Sequence, residues 1–392
     1  MDLDRFVKLA VHSLVTAVVW LGSSVLAAAQ PSAMPLLTTA AAQNAVADQT
    51  HGDQTARDAQ TEYPALHLSG FADINYAAEK ASDGPRGFNE GQFVLHMAGA
   101  LSPRVNFFGE LSFTSRLDAG IGSPPATGFN AEVERVIIRF DQSDELKVSF
   151  GRYHTPINWW NTAFHHGQWL QTTISRPEMV QFGGRFLPVH FVGALVEGVL
   201  PASGWNLGYQ GGVGNGRGNV ISRAGDAGDN NGRPAWVMNL YAKPDRIFGL
   251  QVGGSLYVDR ISVPGQPEFD ERITAAHVVW QREDPEVIAE IADVRHERLD
   301  GLLTASSMAY YVQGAYRLPS KARLWKPYYR FEHNGIDRAD PIFATVPNLD
   351  VSTLGARFDI STYVAIKGEL RVRSLNDQPR TKGGFFQIAF TF

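Results

Sequence analysis

From Leu66 onward the chain alternates apolar residues with polar or small ones, the period-two signature of a strand with one apolar face. Leu66, Leu68, Gly70, Ala72, Ile74 and Tyr76 share one face, against His67, Ser69, Phe71, Asp73 and Asn75 on the other. Phe93, Leu95, Met97, Gly99 and Leu101 repeat the pattern opposite Gln92, His96 and Ala98. Phe107, Gly109, Leu111 and Phe113 repeat it opposite Glu110, Ser112 and Thr114. Such segments run for about 9–12 residues, the length that crosses a bilayer at a tilt, whereas soluble strands centre on about five or six.

The links between segments alternate in length. Short ones fall at Ser102-Pro103-Arg104, Gln142 to Asp144, Pro201 to Gly204, Pro244 to Arg246, Glu283 to Pro285, Pro319 to Ala322 and around Ser361. Longer polar ones lie between them, the longest from His154 to Gly184. Short turns on one side and long loops on the other predict an all-β chain. The expected fold is a transmembrane antiparallel β-barrel of about sixteen strands with short periplasmic turns and long extracellular loops. Closure is expected between Leu66–Tyr76 and Gly384–Phe392, because an open edge in lipid leaves backbone groups unpaired. The competing architecture, a soluble β domain, would need a second sheet to cover the apolar faces, and none is signalled. Phe386, Phe390 and Phe392 lie on one face of the last segment, the form of an outer-membrane assembly signal.

Upstream of the strands the texture differs. Leu9 to Ala29 is the one long apolar run, preceded by Arg5 and Lys8 and ending in Ala27-Ala28-Ala29. This is the plan of a cleaved secretory signal peptide over residues 1–29; a retained transmembrane helix is the alternative. Residues 30–65 are rich in Ala, Thr, Gln and Asp without sustained period, and are expected to form a flexible periplasmic leader before a barrel over 66–392. Export and a barrel together imply the outer membrane of a Gram-negative bacterium, with membrane lipid and the barrel assembly machinery as partners.

Composition constrains this picture without changing it. The mean hydropathy of −0.17 is that of a soluble protein, yet a barrel turns every second residue toward water. A net charge of −5 argues against a nucleic-acid partner, and the absence of Cys removes disulfides and thiolate metal sites. No nucleophile elbow, zinc-protease motif or phosphate loop is present, so no enzyme is expected. Gly211 to Gly216 resembles a phosphate loop only in its glycines, lacking the following Lys-Ser/Thr.

If the apolar face meets lipid, charges must face the lumen, since Arg or Lys at mid-bilayer costs about 2–4 kcal/mol. Parity then places Arg139, Lys147, Arg330, Arg357, Lys367, Arg371 and Arg373 inside. Rings of Arg and Lys are how pores favour anions, so these are candidate pore-lining, anion-binding residues. The alternative is a salt-bridged girdle, for which Glu332, Asp359 and Glu369 are ready partners. The strand around Glu290 and Asp293 stays ambiguous, because those two acids lie on opposite faces.

The long loop carries Trp159, Trp160, His165, His166, Trp169 and Arg176, together with Phe164 and Glu178. Aromatics in a loop of this length argue against disorder, so the loop is expected to fold into the barrel and narrow it. Its Trp rings could stack on sugars or simply pack the loop to the wall. His165 and His166 are adjacent, rarely point at one ion, and have no carboxylate cluster nearby in sequence, so no metal or cofactor is expected. With Glu178 they form the one cluster a hydrolase reading would test.

The "LHLSGFADINY" opening, the "LKVSFGRYHTPINWW" lead-in to the long loop and the "GGFFQIAFTF" ending resemble the phosphate-selective porin O and P family. The likeness spans roughly Leu66 to Phe392. It implies a sixteen-stranded, commonly trimeric porin with a constricting third loop, and a basic lumen role for Arg139, Arg330, Arg357, Lys367 and Arg371. The chain lacks a Lys-rich pore-facing run, so the expected function is passive diffusion of small hydrophilic or anionic solutes rather than strict phosphate selectivity. A plugged barrel with a structural or hydrolase role, or a sugar-selective porin, is the alternative.

Overall fold

In the computed structural model, residues 63–79, 86–116, 128–181, 185–202, 204–217, 221, 225–262, 264–375 and 378–392 are described. The expected signal peptide and nearly all of the leader lie outside them. The described residues form sixteen strands: β1 (Ala65–Glu79), β2 (Gly87–Ser102), β3 (Val105–Ser115), β4 (Phe129–Asp141), β5 (Lys147–His154), β6 (His190–Leu200), β7 (Leu207–Asn215), β8 (Ala235–Ala242), β9 (Leu250–Ile261), β10 (Phe269–Gln281), β11 (Glu286–Arg298), β12 (Thr304–Ala315), β13 (Trp325–Gly335), β14 (Leu349–Asp359), β15 (Val364–Leu375) and β16 (Thr381–Thr391). Each pairs antiparallel with its sequence neighbours, and β1 closes on β16. The closing register runs from Phe71 opposite Thr391 to Glu79 opposite Gly383, close to the predicted segments. Closure satisfies every edge, which is what lets strands cross lipid. Among the described residues no helix is long and apolar enough to cross a membrane.

The two faces divide as alternation dictates. Leu66, Leu68, Phe150, Leu354 and Leu370 point outward and are exposed, while Asp73, His96, Glu110, Lys367 and Glu369 point inward and are buried. Exposed aromatics gather at strand ends: Phe88, Phe129, Trp236 and Trp325 at strand starts, with Phe248 and Tyr363 just before β9 and β15. That distribution gives an apolar band flanked by aromatic girdles.

Two departures from simple parity matter. In β11, Glu290 faces inward and Asp293 outward, where Asp293 accepts from Ser306 Oγ at 2.8 Å. In β4 a β-bulge sits opposite the step from Glu110 to Leu111, pairing Glu110 with Arg135 and Leu111 with Val133. Glu134 is the extra residue. Strict alternation from Val136, Ile138 and Phe140 would send it to the apolar outer face; the bulge turns both Glu134 and Arg135 inward.

Candidate functional site

The link between β5 and β6 is the third long loop, and it folds inward instead of covering the rim. It contains a short helix α1 (Trp160–Phe164) and 3-10 turns at Gln168–Leu170 and Glu178–Val180. Trp160, Phe164, Leu170, Met179 and Val180 are buried in one apolar cluster with wall residues Phe71, Val94, Phe191 and Tyr311. Trp160 meets Phe164 and Tyr311 edge-on, at centroid distances of 5.0 and 6.0 Å. Trp169 stacks on Phe71 at 6.5 Å and carries the Arg357 guanidinium 5.6 Å from its ring. The tryptophans therefore pack the loop against the wall. Trp160, fully buried, has no face left for a sugar.

The turn after α1 depends on Gly167, at φ +87°, where a Cβ would stand 3.1 Å from both Leu170 and Phe71. Any other residue would meet a left-handed backbone and a filled space together.

A buried irregular loop carries backbone groups that must find partners, at about 1–3 kcal/mol for each one left bare. Here the charged wall supplies them. Wall carboxylates accept from loop N–H groups. Glu290 Oε1 takes those of Trp159 and Trp160, both at 2.7 Å, and Glu369 Oε2 takes those of Ile174 and Ser175 at 3.0 and 3.2 Å. Glu332 Oε2 takes that of Glu178 at 2.6 Å. Wall cations donate to loop carbonyls. Arg330 reaches those of Ser175 (2.9 Å) and Arg176 (3.2 Å), and Arg357 those of Trp169 (2.6 Å) and Gln171 (3.0 Å). Lys367 reaches those of Gln168 (2.5 Å) and Thr173 (3.1 Å).

This corrects the expectation that Arg330, Arg357 and Lys367 line open water. They face the lumen but lie under the loop, 0–5% exposed, because a second layer of chain covers their stretch of wall. They also carry girdle contacts: Arg330 to Glu332 at 2.8 Å and Arg357 to Asp359 at 2.7 Å. The other basic candidates keep contact with water. The Arg139, Lys147, Arg371 and Arg373 side chains retain 19, 15, 22 and 32% of their accessibility while pairing with Asp141, Asp144, Glu369 and Glu178 respectively. Burial raises the Glu178 carboxyl, and Arg373 offsets only part of that rise. Its carboxylate thus serves β15, whereas the hydrolase reading sets it beside the histidines.

Behind α1 the loop meets five strands, β2 to β6, at a buried polar cluster. The His165 ring lies 4.1 Å from that of His154, 4.5 Å from that of His166 and 4.9 Å from that of His190. Glu134, turned inward by the bulge, sits 3.2 Å from His166 Nε2 and 2.8 Å from His190 Nε2. Glu110 accepts from Arg135 Nε at 2.5 Å, pairs with His96 at 2.9 Å and lies 3.6 Å from His154 Nε2. Burial holds His165 well below the usual histidine range and lowers Arg176 to about 9. Sequence separation hid this cluster: the acid that joins His165 and His166 comes from β4, and His154 and His190 are paired across β5 and β6. The signal that was available is the three-residue step between outward Val133 and outward Val136.

A second loop, 336–348, also packs inward. His296 on β11 holds it through Asp340 at 2.7 Å while bonding Glu271 at 2.9 Å on its other nitrogen. Phe343 stacks on Phe186 at 5.3 Å.

A closed sixteen-stranded barrel narrowed by an infolded third loop defines the porin type of architecture. Solved structures of that type superpose on the chain. The anion-selective porin from Comamonas acidovorans matches with a TM-score of 0.58 at 14% identity, over 84% of this chain and 100% of its own. The outer membrane channel DcaP of Acinetobacter baumannii gives 0.57 at 11%, over 84% and 97%. Salmonella typhi OmpF, solved with daunomycin, gives 0.56 at 10%, over 83% and 97%. These likenesses are of fold. No protein-family model and no curated protein sequence matches the chain.

Proposed function

We propose that this chain is an outer-membrane porin, a passive water-filled channel for small hydrophilic solutes, narrowed by loop 155–189 and mildly selective for anions. The observation that carries the reading is the inner face itself. Charged side chains there, Arg139, Arg371 and Arg373 among them, keep a fifth to a third of their exposure, which supports a wet lumen. A structural plug would leave such groups dry and costly. Anion preference is supported by this basic edge and by likeness to a porin described as anion-selective. Each of these cations has a carboxylate partner, so the preference is weak.

Export by a cleaved signal peptide, insertion through the barrel assembly machinery and a homotrimeric state complete the proposal. A neighbouring barrel, Vibrio cholerae OmpT, is described in a trimer form. The rival reading, a plugged barrel, draws on the depth to which loop segments 155–181 and 185–189 and loop 336–348 fill the interior. Single-channel recording in planar bilayers separates the two. The channel reading expects ohmic steps and a small reversal potential of anion sign in a salt gradient. Folded protein that yields no steps would establish the plug.

A further inference from the structure

The histidine cluster is more than packing. Glu134, His154, His165 and His166 each present one donor atom, and these four atoms lie within 4.8 Å of one another, all in buried side chains. Donors around a tetrahedral ion bound at about 2.0–2.2 Å are ~3.4 Å apart, so slight side-chain rotation closes the set. His154 is the decisive member. Its side chain is 3% exposed, and neither ring nitrogen makes a hydrogen bond. Glu110 stands 3.6 Å from Nε2, beyond hydrogen-bond reach, and a buried imidazole with no hydrogen bond is costly unless something is coordinated there.

The outer residues are arranged as ligand supports. Gln92 Nε2 lies 3.2 Å from His166 Nδ1, leaving Nε2 turned to Glu134. Asn161 Oδ1 stands 3.0 Å from His165 Nδ1, a contact that orients the ring. His190 braces the far oxygen of Glu134. The opposing feature is Arg176, whose Nη2 also lies 3.0 Å from His165 Nδ1. Glu134 and Glu110 set two negative charges against it; Arg135 is bound to Glu110, and Arg152 to Asp226 at 2.9 Å.

We propose that Glu134, His154, His165 and His166 bind one first-row divalent cation of the zinc class, clamping the constriction loop to the barrel wall. Three imidazoles and one carboxylate suit Zn²⁺, Cu²⁺ or Ni²⁺ and disfavour Mg²⁺ and Ca²⁺, which take oxygen shells. Four protein donors make a closed, structural site. Two come from the wall and two from the loop, so the ion fixes the loop's position. The site stands whether or not the barrel conducts.

The test uses the full, untagged chain refolded into detergent from chelator-treated denatured protein, then exposed to ZnCl₂ or MgCl₂ and desalted. Bound metal is counted by elemental mass spectrometry, and folding is monitored by heat-dependent gel mobility. About one zinc per chain should be retained and the melting temperature should rise with Zn²⁺ but not Mg²⁺. His154→Gln and Glu134→Gln should each lower retained zinc by about tenfold or more. His333→Gln, remote from the cluster, should leave it unchanged, and Arg176→Gln should tighten binding. Equal zinc in all variants, or none in wild type, overturns the site. If the cluster variants do not fold, X-ray absorption of the zinc-loaded wild type decides: a four-coordinate nitrogen and oxygen shell supports the clamp, and a six-coordinate oxygen shell refutes it.

Discussion

Glu290 on β11 and Trp160 at the start of the infolded loop's helix meet through one hydrogen bond, Trp160 N–H donating to Glu290 Oε1 at 2.7 Å, and the N–H of Trp159 donates to the same oxygen. Helix α1 has no side-chain cap of its own. The wall carboxylate does that work, meeting the exposed N–H groups and the positive end of the helix together. Glu290→Ala should therefore release the first turn, costing about 1–3 kcal/mol for the stranded N–H groups. Open-channel current should become noisier and its mean should shift, with the barrel still folded. Single-channel records indistinguishable from wild type would mean that apolar packing alone holds the helix.

The basic inner wall separates into two sets with different expected phenotypes. Arg330, Arg357 and Lys367 hold loop carbonyls, so Arg330→Met or Lys367→Met should lower the melting temperature and loosen the loop, with selectivity changes arising only through that loosening. Arg139, Arg371 and Arg373 keep a fifth to a third of their side-chain exposure, so their replacement by Gln should move the reversal potential toward cations with little loss of stability. Thermal melts and salt-gradient reversal potentials on the two sets check the division. A reversed pattern, with Lys367→Met changing only selectivity, would place the loop elsewhere than on the wall.

That division marks where sequence reasoning stops. Alternation in β2, β14 and β15 was enough to assign inward and outward faces, because their apolar rows run almost unbroken along one side. Turn positions were readable from Pro, Asp and Ser clusters such as Ser102-Pro103-Arg104. Periodicity says which way Lys367 points but not that a loop 194–199 residues distant in sequence lies over it. The histidine cluster fails for the same reason, since it joins side chains from β4, β5 and the loop. Parity alone would not turn Glu134 inward, because one extra residue in β4 reverses every parity beyond it.

Barrel closure gives a sharper mutational target than any single strand pair. Gly70 and Phe392 exchange backbone hydrogen bonds, N–H to O at 2.9 and 3.1 Å. The Phe392 ring stacks on Phe93 at 5.7 Å and covers Gly70, where a Cβ would stand 2.3 Å from it. Deleting Phe392 should lower the amount of heat-modifiable barrel in the outer membrane and raise degradation before insertion. Gly70→Val, which displaces the ring but keeps the residue, should give a milder form of the same defect. Wild-type levels from both variants would show that closure does not depend on this contact.

The rim formed by short turns should respond to acid through Glu283. It pairs with Arg317 at 2.8 Å and Lys326 at 2.9 Å, and Arg317 also binds Asp359. Burial works to raise the Glu283 carboxyl, but Lys326 and Arg317 overcome it and bring it down to about 2, from an ordinary 4.5. A carboxyl lowered by folding stabilises the folded state fully above its unfolded value and loses that contribution as pH falls toward its folded one. With solvent screening at this partly exposed rim, the contribution at neutral pH is on the order of 2 kcal/mol. Glu283→Gln should therefore unfold at lower urea than wild type at pH 7, and the gap should shrink steadily from about pH 4.5 to pH 2. A gap that stays constant over that window would mean the loss comes from packing and not from the charge.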